Sequence, residues 1–154
     1  MKVLVIAPHM DDEVLGAGGA IAKHVESGDR VDVCFVAHRV YGHKYDEKKN
    51  EVEKRCALEA KKVLGYNSAE FFNLPDERLG GDVQQIIIKL EKLIGELKPE
   101  LVYLCHHGDN NQDHKAVFEA ASVAIRPLAN KGIKKVLCYE VPSSTEQSPP
   151  FREY

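Results

Sequence analysis

The feature that most restricts what this chain can fold into is an alternation: short, largely apolar runs recur between longer segments whose apolar residues share one helical face. Residues 2–7 start it, with Val3, Leu4, Val5, Ile6 and Ala7 in unbroken succession. A strand that is apolar on both faces has to be covered on both. That is the mark of a parallel sheet between helices, not of an antiparallel sheet with one wet side. Runs at 31–37, 101–105 and 135–141 repeat the pattern, and Phe71-Phe72 marks a short strand between them. Helical segments fill the gaps. Residues 14–27 carry Leu15, Ile21, Ala22 and Val25 on a predicted inner face and stop at Gly28. Residues 46–64 carry Val52, Cys56, Ala60 and Val63 at spacings of 4, 4 and 3, and stop at Gly65. The stripe Val83, Ile86, Ile87, Leu90, Leu93, Ile94 and Leu97 ends at Lys98-Pro99, residues 114–128 give the last helix, and the tail from Pro142 reads as loop.

The predicted fold class is therefore α/β: a three-layer α/β/α sandwich with a Rossmann-like, mostly parallel sheet joined by right-handed crossovers. In the usual strand order of such sheets the first and fourth strands are neighbours, and ligands bind beyond their carboxyl ends. A length of 154 residues suits a single domain with a sizeable core. With 44 % apolar and 29 % charged residues, the composition excludes disorder and coiled coil. A formal charge of −3 with no block of Lys or Arg argues against nucleic acid or an anionic membrane as the main partner. The first apolar run is too short to cross a bilayer and runs into Pro8-His9 and three acids, so neither a signal peptide nor membrane insertion is expected. Cys34, Cys56, Cys105 and Cys138 form no Cys-x-x-Cys pair and are expected to be buried free thiols in a reducing, cytoplasmic compartment.

Two His/Asp clusters fall where such a fold puts chemistry. His9-Met10-Asp11-Asp12-Glu13 follows the first strand, and His106-His107-Gly108-Asp109-Asn110-Asn111-Gln112-Asp113-His114 follows the fourth. Three acids opening a helix are favourable to its dipole on their own account. Two such clusters at neighbouring strand ends, however, would repel and shift one another's pKa values unless a cation neutralised them. Imidazole and carboxylate donors without thiolate suit a catalytic Zn²⁺ with three protein ligands and an open position, and Fe²⁺, Mn²⁺ or Co²⁺ fit the same donors. The spacing selects His9, Asp12 and His114 as ligands and leaves Asp11 beside them as a general base. Asp109 and Asp113 are candidates to orient the ligand imidazoles. Arg39, after the second strand, is a candidate for reaching a substrate hydroxyl or phosphate, and His38, Tyr41-Gly42 and His43 form a rim.

Pro8-His9-Met10-Asp11-Asp12-Glu13, followed by Leu15-Gly16-Ala17-Gly18-Gly19, resembles the Pro-His-Pro-Asp-Asp-Glu signature of the PIG-L/LmbE-like zinc deacetylases, which remove acetyl groups from N-acetylglucosamine units. His107-x-Asp109-x-Asn111-x-Asp113-His114 is similar to that family's second metal motif. Arg55-x-x-x-Glu59, Leu64-Gly65, Leu74-Pro75-Asp76 and Glu140-Val141-Pro142-Ser143-Ser144-Thr145-Glu146 extend the likeness over nearly the whole chain. The resemblance implies His9, Asp12 and His114 as zinc ligands and Asp11 as base, the same set that the spacing selects. Met10 replaces the usual Pro, and Asn111 stands where many members have a His. Asn111 can donate to an oxyanion but cannot act as an acid, so His107 or a protonated Asp11 is expected to serve the leaving amine. The chain ends soon after Ser144, and the domain over 1–154 is expected to lack the C-terminal part usual in the family.

The glycines at 16, 18 and 19 do not make a dinucleotide loop, because Gly-x-Gly-x-x-Gly fails at Ile21 and three acids upstream would repel a pyrophosphate. Close helix-sheet packing is the expectation there. The resulting functional expectation is a metal-dependent hydrolase that removes an acetyl group from a small N-acetylated sugar or glycolipid precursor. The alternative is a non-catalytic metal- or sugar-binding module of the same fold. Homo-oligomerisation is compatible with either, and a phosphoesterase would call for two ions and more carboxylate ligands.

Overall fold

The computed structural model describes residues 1–128, 130–142 and 144–147; the tail expected as loop from Pro142 carries a 3-10 turn over Thr145–Gln147, and its part beyond 147 lies outside the described residues. In chain order the elements are β1 (Lys2–Ala7), α1 (Asp12–Glu26), β2 (Arg30–His38), a small hairpin of β3 (Val40–Tyr41) and β4 (Lys44–Tyr45), α2 (Glu47–Leu64) and β5 (Ser68–Pro75). They continue with α3 (Val83–Leu97), β6 (Leu101–Cys105), α4 (Gln112–Ala124) and β7 (Lys135–Tyr139). Five strands form one parallel sheet in the order β5-β2-β1-β6-β7.

That order makes the sheet doubly wound. The chain steps outward from β1 through β2 to β5, then returns to β6 on the other side of β1 and steps on to β7. With right-handed crossovers, α1 and α2 cover one face, and α3 and α4 the other. The direction reverses between β1 and β6, which pair in the register Val3↔Leu101, Leu4↔Val102 and Val5↔Tyr103. The two His/Asp clusters leave the carboxyl ends of these neighbouring strands. The apolar runs of the inner strands behave as expected, since residues 3–7 of β1 and 31–37 of β2 are buried throughout, Asp32 included, whereas the run at the edge strand β7 is mostly exposed. Gly65 closes α2 with φ 78°, a left-handed conformation that lets its N–H reach the Lys61 carbonyl at 2.8 Å.

Several expectations need correction. Phe71-Phe72 belongs to a full strand of eight residues, and the rim loop contains the hairpin β3–β4. In α1 the buried side is not the one carrying Leu15, which is 52 % exposed, or Ala22. It is the row Glu13, Ala17, Ile21 and the half-buried Val25, spaced four apart and headed by a carboxylate that hydrophobic periodicity reads as surface. In α2 the spacing of Val52, Cys56 and Val63 marks the wrong face: Val63 is 86 % exposed, and only Asn50 and Ala57 are buried. This helix rides over the edge strand β5, where the Lys54 ammonium lies 4.7 Å above the Phe71 ring and long polar side chains do the covering. Cys34 and Cys105 are buried, but Cys56 and Cys138 are exposed, Cys138 because β7 is the other edge strand. Helix α4 begins two residues earlier than expected and ends at Ala124, leaving Leu128 exposed. No helix among the described residues is long and apolar enough to cross a membrane.

Of the three small residues opening α1, Gly16 is the close-packing one. A Cβ there would lie 2.3 Å from the Tyr139 ring and 2.9 Å from the Glu140 carbonyl, whereas one at Gly19 would meet nothing within 4 Å. Gly16→Ala is therefore expected to destabilise the fold by about 1–3 kcal/mol through overpacking. Gly19→Ala, in an open helical position, should stabilise it by about 0.5–1 kcal/mol. Urea unfolding of the two variants checks both the signs and their contrast.

Candidate metal centre

The turn after β1 is built so that adjacent aspartates do different things. The Asp11 carbonyl accepts the first helical N–H groups, from Val14 at 3.1 Å and Leu15 at 3.0 Å, while its side chain makes no cap bond and stays half-exposed. The Asp12 side chain turns back instead, and its Oδ2 accepts the His9 backbone N–H at 2.9 Å. The turn after β6 is a ladder of side chains, each holding the backbone two residues on. Asp109 Oδ1 accepts the Asn111 N–H at 2.8 Å, and Asn111 Oδ1 accepts the Asp113 N–H at 2.8 Å as the N-cap of α4. That alternation delivers Asp113 and His114 to the crevice.

There the three spacing-selected side chains meet. His9 Nδ1 lies 3.2 Å from Asp12 Oδ2, His114 Nε2 lies 3.2 Å from the same oxygen, and the two imidazole nitrogens are 3.3 Å apart. All three residues are buried. Ligands about 2.0 Å from a tetrahedral Zn²⁺ sit roughly 3.3 Å from one another, so this near-equilateral triangle has the size of one face of such a site. The outer ring nitrogens are also engaged. His9 Nε2 faces Asp113 Oδ2 at 3.3 Å, and His114 Nδ1 faces Asp109 Oδ2 at 3.0 Å. Donating an N–H outward to a carboxylate leaves each inner nitrogen its lone pair, which is the tautomer a metal needs. Asp109 Oδ2 is itself held by the hydroxyls of Ser144 at 2.8 Å and Thr145 at 2.6 Å.

The electrostatics describe a cluster with a surplus of negative charge. Burial opposes protonation of His9, but hydrogen bonds to Asp113 and Asp12 outweigh it and raise its pKa to about 10. Burial opposes ionisation of Asp12 just as strongly, and hydrogen bonds from His114 and His9 hold the carboxyl well below the usual range. His114 follows His9: burial lowers its pKa, and the bond to Asp12 together with the charges of Asp12 and Asp109 turns the balance upward. For Asp11, burial and then the neighbouring Asp12 charge push its pKa up, against the pull of Arg39. Glu13 is fully buried with neither carboxylate oxygen hydrogen-bonded, and burial takes it to about 7. Four buried carboxylates with only two imidazoles for counter-charge call for a cation, and the donor set fits a divalent one.

A cavity of about 510 Å³ opens over the triangle and is lined by His9, Asp11, Asp12, Arg39, Asn111, Asp113 and His114 among others. Arg39 contacts Asp11 at 3.5 Å and Glu53 at 3.7 Å. Asp109 lies behind the cavity wall, fully buried. The structure does not bring His107 there. Its exposed ring lies against His106 and Phe118, with centroids 4.3 and 5.7 Å away, because the chain turns inward only at Asp109. Three residues that the sequence did not single out for the site also matter. Asp76 and Glu77 line the cavity. Asn50, buried in α2, clamps the Arg39 backbone by accepting its N–H at 3.0 Å and donating to its carbonyl at 2.8 Å. A lone Asn on a helical face carried no signal, whereas the Leu-Pro-Asp triplet at Asp76 did.

The fold and the converging imidazoles and carboxylate define a doubly wound α/β protein with a candidate mononuclear metal centre at its switch point. The chain belongs to the PIG-L family: residues 4–125 match the family described as GlcNAc-PI de-N-acetylase. It is 31 % identical over 147 residues to the uncharacterized deacetylase YaiS of Escherichia coli strain K12, a match covering 92 % of this chain and 75 % of that protein. Among solved structures it is similar to GalB, the 4-carboxy-2-hydroxymuconate hydratase of Pseudomonas putida KT2440, at 28 % identity and a TM-score of 0.71, covering 80 % of this chain and 55 % of that one. It also resembles the N,N'-diacetylchitobiose deacetylase of Pyrococcus horikoshii, at 26 % identity and a TM-score of 0.64, covering 85 % and 52 % of the two chains. The chain thus spans three quarters of the Escherichia coli relative and about half of each of these two structures.

The two shells around the cavity should differ in what they do for stability. Asp109→Ala leaves the His114 ring, two hydroxyls and the Asn111 N–H without their acceptor, and is expected to cost at least about 2 kcal/mol. Asp11→Asn alters a half-exposed group with no hydrogen bond to lose, and should stay within about 0.5 kcal/mol of wild type. Denaturant midpoints of both variants measure the difference.

Proposed function

We propose that this protein is a metal-dependent N-deacetylase, one domain over 1–154, that hydrolyses the acetamide of a small N-acetylated sugar of the N-acetylglucosamine type or of a glycolipid precursor. The observation that carries this reading is the triangle of His9 Nδ1, Asp12 Oδ2 and His114 Nε2, with Asp11 left free beside it on the cavity wall. Membership of the PIG-L family and the deacetylase names of two relatives support it.

His9, Asp12 and His114 would hold the ion. Zn²⁺ bound there supplies a Lewis acid for the acetyl carbonyl and acidifies water towards a pKa of about 7, chemistry that Fe²⁺, Mn²⁺ or Co²⁺ can also supply. Asp11 takes the proton of the attacking water. Its raised pKa, set by burial and by Asp12, suits a carboxylate that must accept a proton and then give it back. Arg39 stands beside Asp11, 3.5 Å away, and reaches toward substrate hydroxyls across the same cavity. The oxygen of water bonds to the carbonyl carbon, and negative charge builds on the carbonyl oxygen. Asn111 donates to that oxygen, since its own Oδ1 is occupied by the Asp113 N–H and its amide nitrogen is left to give. The carbon–nitrogen bond then breaks, and Asp11 returns its proton to the amine, a task for which His107 is too remote. Acetate and a free amine leave.

The cavity also weighs against the chemistry named for the Pseudomonas relative. The muconate in that name is a polycarboxylate, whereas five carboxylate side chains, Asp11, Asp12, Asp76, Glu77 and Asp113, line this cavity against one guanidinium, Arg39. A neutral, hydroxyl-bearing substrate whose product is an amine suits that balance better.

Acetate release from N-acetylglucosamine derivatives, measured with and without chelator, tests the proposal. Release should stop when metal is removed and return with Zn²⁺, and no release from any such amide would sink it. Asp11→Asn is expected to keep its metal and lose about 10²–10⁴ in turnover. Asp12→Asn should lose metal first, and equal metal loss in both variants would show that Asp11 is a ligand rather than the base.

A further inference from the structure

A second set of ligand atoms converges on the other side of His9. His9, Asp76 and Asp113 are all buried, and they bring one imidazole nitrogen and two carboxylate oxygens within 4.8 Å of one another. Asp113 Oδ2 faces His9 Nε2 at 3.3 Å and accepts the Glu77 N–H at 2.7 Å. Its other oxygen, Oδ1, is shut away from solvent without any hydrogen-bond partner, in a residue only 3 % exposed. Asp76 is fixed through Oδ1, which accepts the Val40 N–H at 2.7 Å, and lines the same cavity. Buried carboxylate oxygens are almost always paired, and a free one on a carboxylate that faces an imidazole and stands beside a second buried carboxylate marks the place of an electropositive partner.

We propose that His9, Asp76 and Asp113 form a second divalent-cation site, distinct from the triangle that the proposed function uses. It is the weaker of the two because both need His9. A neutral imidazole has one lone pair, so the ring that serves the triangle through Nδ1 presents N–H at Nε2, and an ion on the second set must displace that proton or draw the ring away. An ion there also occupies Asp113, the carboxylate that orients His9, and narrows the cavity beside Asp11. Metal in excess of one equivalent therefore inhibits the reaction that the first equivalent supports.

Zn²⁺ titrated into the metal-free full chain, followed by calorimetry, tests this without reference to turnover. The wild type should take up one equivalent tightly and a second at least tenfold more weakly. Asp76→Asn should keep the tight phase and lose the weak one. Asn at 76 can still accept the Val40 N–H, and the retained tight phase reports that the variant is folded. A single phase in the wild type, or a weak phase that survives in Asp76→Asn, overturns the second site. The deacetylase reading fails separately, through the absence of acetate release from any substrate.

Discussion

One oxygen, Asp12 Oδ2, holds the chemistry of this fold together. It accepts the His9 N–H at 2.9 Å, which sets the turn between β1 and α1, and it stands 3.2 Å from an imidazole nitrogen on each side. Through those contacts the end of the first strand, the start of the first helix and the start of α4 share a single point, although 105 residues separate His9 from His114. The sheet makes this possible. Only at the switch point, between β1 and β6, do two neighbouring strands send their chains to opposite faces and leave a crevice into which both turns can place side chains. Moving either cluster to another strand end would separate the ligands by at least one strand spacing, about 4.8 Å, and break the triangle.

The cost of that convergence is visible in charge. Asp12, Asp109, Asp113 and Glu13 are all at most 3 % exposed, and only the two imidazoles offer them buried positive charge. The raised pKa of His9 and the depressed one of Asp12 are two sides of the same strain, since each group is kept ionised by the other against its own desolvation. Asp109 escapes by collecting four donors. Asp113 collects two for one oxygen and none for the other, and Glu13 collects none. The proposed cation relieves the cluster as a whole, and the residual deficit at Asp113 is why the inference of a second, weaker site falls on its far side.

How much of this could be read from the amino acids depended on whether hydrophobicity or hydrogen bonding decided each position. The parallel sheet was legible because burial of the inner strands on both faces leaves largely apolar runs, and the meeting of His9 with His114 followed from strand adjacency alone. Residues Asp109, Asn111 and Asp113 were legible as a cluster because their alternate spacing is also the spacing of Asx turns. Helix faces were legible only where packing is apolar. In α3 the stripe Ile86, Leu90, Leu93 and Ile94 is buried as its periodicity predicts. In α1 and α2 the inward row is led by Glu13 and Asn50, two polar residues that a hydrophobic period discards. His107 was misjudged for the opposite reason. A histidine two residues before a buried aspartate suggests a shared site, but the chain turns inward only at Asp109, and the His107 ring stays outside against His106 and Phe118.

Asn50 also explains why α2 tolerates so much exposed apolar surface. A helix over an edge strand gains little from burying valines, and this one contributes a buried amide that pairs with both backbone groups of Arg39. On the next residue Asp76 accepts the Val40 N–H, and its own N–H returns to the His38 carbonyl at 3.0 Å. The two residues that follow β2, Arg39 and Val40, are thus fixed by the side chains of Asn50 and Asp76, with no sheet partner needed for Arg39. A guanidinium on a free loop would spread over many rotamers and backbone positions. Held in this way, it keeps its place opposite Asp11 even though the ion pair between them, at 3.5 Å and largely solvated, is too weak to hold it there. The precision of the cavity rim therefore comes from buried neutral hydrogen bonds, and the charges it presents remain free to respond to substrate.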